Sequence, residues 1–358
     1  MNFVEWEGTH LYVAVFINST VVQQSIVVLP CAILAGVECL LALGVLANLP
    51  ILGALLIRSG HFHLNLRLIY LSIVILIFVA VFSRILLIIF QFQWLRYEGE
   101  GSLPLLAVAA TFGRFTPLIY EVACFCPWVC IERLVASRDP AEYERNRSPR
   151  LAIGLTVVGL VEASIVTYLV VFHLYENYKL LFAIFFPAVG AVTVGAFFCL
   201  RSLLAWNLKR HREMTQFQKN RLHRRNFQAE YLSRRFQLEE NIEVLQLMNR
   251  LFRWSVAGNI TAVFFGGIPT VLLDTNSLPA QLMLVFFDLT VMITIIVHMW
   301  LLIFGVESFR RDYWLLWRFV LRIPEPRVSA LGEKRGSKAP FSLEDEKNMY
   351  FTYYQQYW

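Results

Sequence analysis

The chain has 358 residues, of which 57% are hydrophobic and only 16% are charged. A soluble domain usually carries about 25% charged residues, so this composition excludes an ordinary soluble protein and predicts a membrane protein. The net charge of +6 does not indicate nucleic-acid binding, because the segment 207–253 alone holds 11 Lys and Arg against 5 Asp and Glu. A basic block between membrane spans is typical of a cytoplasmic loop.

Seven apolar segments follow one another, each near or above the length of about 20 residues that crosses a bilayer. The predicted spans are 25–57, 68–90, 105–131, 151–173, 180–206, 254–273 and 279–304. They predict an all-α fold, a seven-helix transmembrane bundle. The preceding segment 1–24 has no Lys or Arg, so we interpret the first span as a signal anchor rather than a cleaved signal peptide. Its Asn18-Ser19-Thr20 sequence is a candidate glycosylation site.

The charges between the spans predict the orientation. With the amino terminus outside, the inner segments hold 27 Lys and Arg and the outer segments hold two, Arg96 and Lys179. Basic residues near membrane spans concentrate in cytoplasmic segments. We therefore predict an extracellular amino terminus and a cytoplasmic carboxyl terminus.

The cytoplasmic segments have features of their own. The segment 207–253 lacks Pro and Gly, so we expect spans five and six to continue into the cytosol as amphipathic helices. Aromatic residues and leucines alternate with arginines over 305–322, which predicts an amphipathic helix lying in the membrane interface. The charged segment 323–358 is predicted to be a flexible cytoplasmic tail.

Neither the cysteines nor any motif indicates an enzyme. All six cysteines lie inside or at the ends of apolar runs, which argues against an extracellular disulfide framework. Cys124 and Cys126 point to different faces of a helix, so they do not form a metal site. Core packing or palmitoylation is the expected role. Hydrolase, metalloprotease and phosphate-loop motifs are missing from the sequence, and we predict no catalytic activity, no metal and no cofactor.

Charged residues inside the spans are the candidates for function. A charge at mid-bilayer costs about 2.5–3.5 kcal/mol on insertion scales, so such residues should face the bundle interior and be paired or functional. They are Glu38, Arg84, Arg114, Glu121, Glu162 and Asp288. We predict a ligand pocket at Arg84, Arg114, Glu121 and Asp288, between the outer halves of helices two, three and seven. The alternative is a structural network between helices without a ligand.

An acidic residue followed by an arginine, Glu132-Arg133, ends the third apolar run. Arg133 has three interpretations. It could hold the inactive state through Glu132, dock a cytosolic partner directly, or simply anchor a helix end by extending its side chain to the interface.

Three stretches resemble the serpentine chemoreceptors of nematodes, class epsilon: residues 61–65 (HFHLN), Glu132-Arg133 with Tyr143-Glu144, and residues 232–241 (LSRRFQLEEN). The resemblance covers the seven spans. It implies a receptor of the G-protein-coupled type, multi-pass in the plasma membrane of chemosensory cilia, that detects small external molecules and acts on a heterotrimeric G protein. The implied cytosolic coupling residues are Glu132, Arg133, Arg234, Arg235, Phe236, Glu240 and Asn241.

Several activation motifs of the wider receptor superfamily are missing. The seventh span has no Asn-Pro-x-x-Tyr and the sixth has no Cys-Trp-x-Pro, so the usual activation switches do not transfer. A ligand-gated ion channel subunit and a polytopic transporter remain alternatives. Seven-helix insect odorant receptors are channels with the amino terminus inside, and topology separates that alternative from a receptor.

Overall fold

The computed structural model describes residues 2–6, 9–13, 28–58, 62–92, 94–95, 102–138, 140–145, 148–219, 225–273 and 277–320. In chain order the elements are β1 (Asn2–Trp6), β2 (Thr9–Val13), α1 (Val28–Arg58), α2 (Leu64–Gln91), α3 (Ser102–Ile119), the π-helix π1 (Tyr120–Phe125), α4 (Cys126–Arg138), α5 (Pro140–Arg145), α6 (Arg150–Lys219), α7 (Arg225–Ala262), the π-helix π2 (Val263–Gly267), α8 (Ile268–Leu272), α9 (Leu278–Gly305) and α10 (Glu307–Val320).

The predicted helical membrane bundle is confirmed. Within the described residues, six helical segments are long and apolar enough to cross a membrane: Ala32–Arg58, Leu64–Gln91, Arg150–Phe172, Ala183–Gln216, Arg235–Leu272 and Pro279–Gly305. The remaining apolar run is formed by α3, π1 and α4 in succession. A π-helix therefore interrupts the third span, which the sequence analysis treated as one continuous helix.

The helix α6 contains two spans that run in opposite directions. Thr167 bonds Thr116 on α3, and Gly159 accepts from Cys124 on π1, so this half is antiparallel to the third span. Later in α6, Cys130 bonds the Ala196 carbonyl. Asn207 likewise bonds Ser137, so this half is parallel to the third span. The chain direction must therefore reverse between 172 and 189, although the backbone there is helical.

A short β-hairpin precedes the bundle. This hairpin was not predicted from the sequence. Its strands β1 and β2 pair antiparallel, with Asn2 opposite Val13 and Trp6 opposite Thr9. Aromatic and β-branched residues favour a pleated conformation, and both strands contain them. The second strand lies beside α3 and α6.

Residues of the first inter-helix turn organise the helices that follow. The His63 ring accepts a hydrogen bond from the backbone N–H of Asn65 at 3.3 Å and so caps α2. The Asn65 side chain accepts from the backbone N–H of Ala152 in the first turn of α6. Phe62 is buried, 6.4 Å from the Tyr70 ring and 5.6 Å from the Phe309 ring. The 61–65 stretch that carried the resemblance thus has a structural role, with His61 outside the described residues.

The basic segments of the chain meet at one end of the bundle, called here the basic end. Asn65 joins the segment 58–67 to the start of α6. Asn207 and Arg210, from the far part of α6, donate to the hydroxyl and carbonyl oxygens of Ser137 on α4. The described parts of the segments 58–67, 133–150 and 207–253 therefore share this end, as their predicted location on one side of the membrane requires.

The first turns of α10 return to the first helix. Phe309 is buried in the core, and the Tyr313 hydroxyl donates to the Asn48 side chain at 2.9 Å. Asn48 donates in turn to the Gly44 carbonyl of its own helix. These contacts hold the start of α10 against α1, within the compact unit that extends to Trp314.

Candidate functional site

Two arginines and two carboxylates form a buried ionic tetrad across four helices. Arg84 on α2 donates to both carboxylate oxygens of Glu38 on α1, at 2.6 and 2.9 Å. It also lies 2.8 Å from Asp288 on α9. Arg114 on α3 donates to the other Asp288 oxygen at 2.9 Å. All four side chains are buried, and their formal charges cancel.

The tetrad contains three of the four predicted ligand-pocket residues, and these bind one another. Arg84, Arg114 and Asp288 line neither of the two cavities described below. The space between helices two, three and seven is thus occupied by ion pairs. The structure adds Glu38, which the sequence marked as an interior charge but not as a member of the site.

The larger of the two cavities has a volume of about 100 Å³, and its lining residues Phe115 and Phe287 are the chain neighbours of Arg114 and Asp288. Its walls come from α3, π1, both halves of α6, α7, π2 and α9, and include Phe115, Phe185, Phe186 and Phe287. Helix α2 contributes none of the lining residues. The lining is almost entirely apolar, which is typical of small-molecule sites in helical bundles.

Three polar side chains interrupt the apolar wall: Glu121 on π1, Asn259 on α7 and Thr294 on α9. Asn259 donates one amide N–H to the Thr193 hydroxyl at 3.0 Å. Thr294 donates its hydroxyl hydrogen to the Thr290 carbonyl at 2.8 Å. Within the described residues, Glu121 has no hydrogen-bond or ion-pair partner. Of the four predicted pocket residues, it is the one that lines this cavity.

Close helix contacts around glycines position two of the aromatic walls. A Cβ atom on Gly266 would lie 2.8 Å from the Phe287 ring, and one on Gly267 would lie 3.0 Å from the Phe186 ring.

Both glycines belong to π2, which ends two residues before Pro269. A proline removes a backbone donor and clashes with the preceding turn of an α-helix, and a π turn widens that turn. The Thr270 hydroxyl donates to the Gly266 carbonyl there.

A second cavity of about 60 Å³ extends toward the basic end and shares Glu121, Asn259 and Thr294 with the first. It contains a polar pair that the sequence analysis missed. His298 bonds the Ser255 hydroxyl at 2.7 Å and the Thr294 carbonyl at 2.8 Å. Thr290, Thr294 and His298 recur every four residues along an apolar span, and that spacing could have identified the polar face of α9.

The residues Glu132 and Arg133 form the centre of a second cluster, at the basic end. Glu132 has no exposed surface and Arg133 exposes 3%. Both Nε and Nη2 of Arg133 donate to the Glu132 carboxylate. Its Nη1 donates to the Asn241 side chain on α7 at 3.0 Å. Asn241 donates to Ser137 at 2.9 Å. We call Glu132, Arg133, Tyr143 and Asn241 the inner clasp.

Tyr143 on the short helix α5 completes the inner clasp. Its hydroxyl donates to Glu132, and the Arg133 guanidinium lies 5.9 Å from the centre of its ring. The His63 ring is 4.0 Å from the same ring. Burial and the neighbouring Glu132 carboxylate raise the pKa of Tyr143, so the phenol stays protonated as a donor. The clasp therefore ties α4, α5 and α7 together.

The other predicted coupling residues lie on the following turns of α7. Arg235 pairs with Glu239 at 3.0 Å, and Glu239 also bonds His211 on α6 at 2.9 Å. Phe236 and Glu240 are half-buried. The Arg234 side chain and Asn18 lie outside the described part of the chain.

The comparisons with known proteins identify one family. The profile of a family described as Sre G protein-coupled chemoreceptor matches residues 10–358, nearly the whole chain. Among curated proteins, none matches the chain. The resemblance drawn from the three short stretches is therefore confirmed over a much longer part of the sequence.

Proposed function

The chain belongs to the Sre family of G protein-coupled chemoreceptors, and we propose that it detects a small external molecule at the plasma membrane and activates a heterotrimeric G protein. That the chain is a multi-pass membrane receptor of a chemosensory family follows from the match itself. The ligand site, the cytosolic partner, the orientation and a location in sensory cilia belong to the proposal. The family is a receptor family and not an enzyme family.

One observation carries the proposal: the same two segments connect the cavity with the inner clasp. The third span has Glu121 in the cavity wall and Arg133 in the clasp, about 18 Å apart along a helix at about 1.5 Å per residue. Helix α7 has Asn259 in the cavity wall and Asn241 in the clasp. A ligand that changes the packing of these segments at the cavity can therefore change it at the clasp.

The buried clasp corresponds to a closed receptor. The Arg133 guanidinium donates hydrogen bonds to Glu132 and Asn241. Only 3% of the Arg133 surface is exposed, so a cytosolic protein cannot reach it. Signalling then requires a second packing in which α7 moves away and Arg133 becomes accessible. A ligand shifts the population between two packings only if it binds them with different affinity.

The proposal predicts opposite effects for two clasp substitutions in cells expressing the full chain with a G-protein dissociation reporter. Asn241→Ala removes the contact between α7 and Arg133 and should raise ligand-independent signalling several-fold. Arg133→Ala should abolish signalling. Gln246→Ala changes an exposed side chain on the same helix and should leave the signal unchanged.

Surface expression is measured in parallel with an amino-terminal epitope tag. If Asn241→Ala and Arg133→Ala both reach the surface like the parent chain and neither changes the signal, the clasp does not control a G protein. The proposed coupling would then be wrong.

A further inference from the structure

We propose that the cavity selects a small amine with an apolar body, whose ammonium group binds Glu121. This inference rests on the proposed function and names the ligand class of the same cavity. Three features support it: the hydrogen-bonding character of the polar wall, the charge balance of the bundle interior, and the aromatic groups around the cavity.

The polar wall consists mainly of acceptors. An ionised Glu121 offers two carboxylate oxygens and no donor. Asn259 donates one amide N–H to the Thr193 hydroxyl. Its amide oxygen accepts no hydrogen bond in the described part of the chain. Thr294 donates its only hydroxyl hydrogen to the Thr290 carbonyl, so the lone pairs of its hydroxyl oxygen are left to accept a hydrogen bond. A primary ammonium group brings three donors to these acceptors, whereas an ether or ketone brings none.

The charge balance of the interior also favours a cation. The two arginines and two carboxylates of the tetrad cancel, so an ionised Glu121 adds one negative charge without a counter-charge in contact. Arg114 lies two turns away on the same segment and is engaged by Asp288. A buried charge is costly unless it is paired and hydrogen-bonded. A ligand cation would supply the missing partner, whereas a carboxylate ligand would add a second negative charge.

The remaining walls fit an apolar body next to that cation. Phe115, Phe185, Phe186 and Phe287 line the cavity. Aromatic faces attract cations electrostatically and provide apolar area for an alkyl or aryl group. In addition, π1 holds Glu121 in the wall. Single π-helical turns within α-helices occur often at functional sites.

The test uses three sets of probes that differ only in the polar group. The amines are isoamylamine, benzylamine and phenethylamine, and each is paired with the matching alcohol and carboxylate. Cells expressing the tagged full chain report G-protein dissociation over a range of concentrations. We expect at least one amine to activate the receptor with a half-maximal concentration at least 10-fold lower than that of its matching alcohol.

Two glutamate variants identify the contact. Glu121→Gln should raise the half-maximal concentration of that amine by at least about 30-fold, as expected when one partner of a buried charge pair is removed. Glu162→Gln is the matched control, because Glu162 is an exposed acid in the first half of α6 and lines neither cavity. It should change the value less than about threefold. Glu121→Asp should retain part of the preference for amines.

The outcomes separate this inference from the proposed function. If alcohols or carboxylates activate as well as amines, or if Glu121→Gln leaves the amine response intact, the receptor function stands and the amine assignment fails. If no probe acts while Asn241→Ala still raises the basal signal, the amine assignment fails and the function again stands. If no probe acts, and if Asn241→Ala and Arg133→Ala both reach the surface and leave the signal unchanged, both are wrong.

Discussion

Arg84 has two carboxylate partners at the centre of the bundle, and its charge is balanced only by the whole tetrad. It contacts Glu38 at 2.6 Å and Asp288 at 2.8 Å. Asp288 is shared with Arg114. Removing one member of such a group leaves an unpaired charge in a medium that solvates it poorly, whereas removing an opposite pair leaves neutrality intact.

The tetrad therefore predicts a strongly non-additive pair of substitutions. Arg84→Gln leaves Glu38 without its partner and should lower stability by about 3–5 kcal/mol. The double variant Glu38→Gln and Arg84→Gln retains the neutral pair of Arg114 and Asp288 and should be more stable than Arg84→Gln alone. Thermal unfolding of the detergent-purified receptor measures both effects.

The matched control for this experiment is Arg201→Gln, which removes an exposed arginine from another apolar segment. It should change the unfolding temperature little. Glu38→Gln alone completes the comparison. Losses of the two single variants that simply add in the double variant would contradict the coupling of Glu38 and Arg84 through one charge balance.

At the scale of single residues, the sequence predicted most of the charges that lie inside but not how they pair. The prediction was wrong for Glu162, which is exposed. The cost of a charge in a bilayer requires Arg84, Arg114 and Asp288 to face the interior, and they do. Their partners depend on the depth and rotation of four helices, which no local pattern specifies. Arg114 and Glu121 share a helical face by spacing, yet one joins the tetrad and the other lines the cavity.

Among the elements, the close approach of α7 and α9 shapes the cavity wall. A Cβ atom on Gly258 would lie 2.7 Å from the Thr294 hydroxyl oxygen and 2.8 Å from its methyl group. Real Cβ atoms do not approach other atoms so closely, so any larger residue must displace Thr294 or separate the two helices. The absence of a side chain at Gly258 is therefore a requirement of this packing.

We predict that Gly258→Ala destabilises the receptor by about 1–3 kcal/mol, the usual cost of overpacking. It should also weaken the response to any ligand of the cavity. Gly195→Ala is the control, because nothing lies within 4 Å of the Cβ position there. Alanine should be neutral or slightly stabilising at that site, since it favours a helix over glycine. Unfolding temperatures of the two purified variants provide the comparison.

An equal effect of the two alanines would show that α7 and α9 do not meet as closely as the structure has them. An increase in stability for Gly258→Ala would show the same.

Among the helices of the bundle, the two π-helices were not predicted from the sequence. Apolar runs indicated the spans, because hydropathy reports burial in lipid. They could not indicate where a helix widens by one residue, because π1 (Tyr120–Phe125) has no distinctive composition. A proline two residues after the end of each π-helix, Pro127 after π1 and Pro269 after π2, offered the only hint, since a proline disturbs the turn before it. The cavity was missed because its walls depend on these widened turns.

For the whole molecule, the three basic segments meet at one end of the bundle and so have to lie on one side of the membrane. Hydrogen bonds from Asn65, Asn207 and Arg210 bring the segments 58–67, 133–150 and 207–253 together. The reversal within α6 lies away from this end. The charge pattern and the packing are consistent with the proposed topology, in which the basic end of the bundle lies in the cytosol.

This topology predicts the result of labelling tags at Met1 and after Trp358. The amino-terminal tag should bind antibody on intact cells, and the carboxyl-terminal tag should bind only after permeabilisation, because the 27 basic residues of the inner segments resist transfer across the membrane. A cytosolic marker protein, stained in the same cells, controls for membrane integrity. The reverse pattern would put the basic end outside, contradict the receptor proposal and favour a channel with its amino terminus inside.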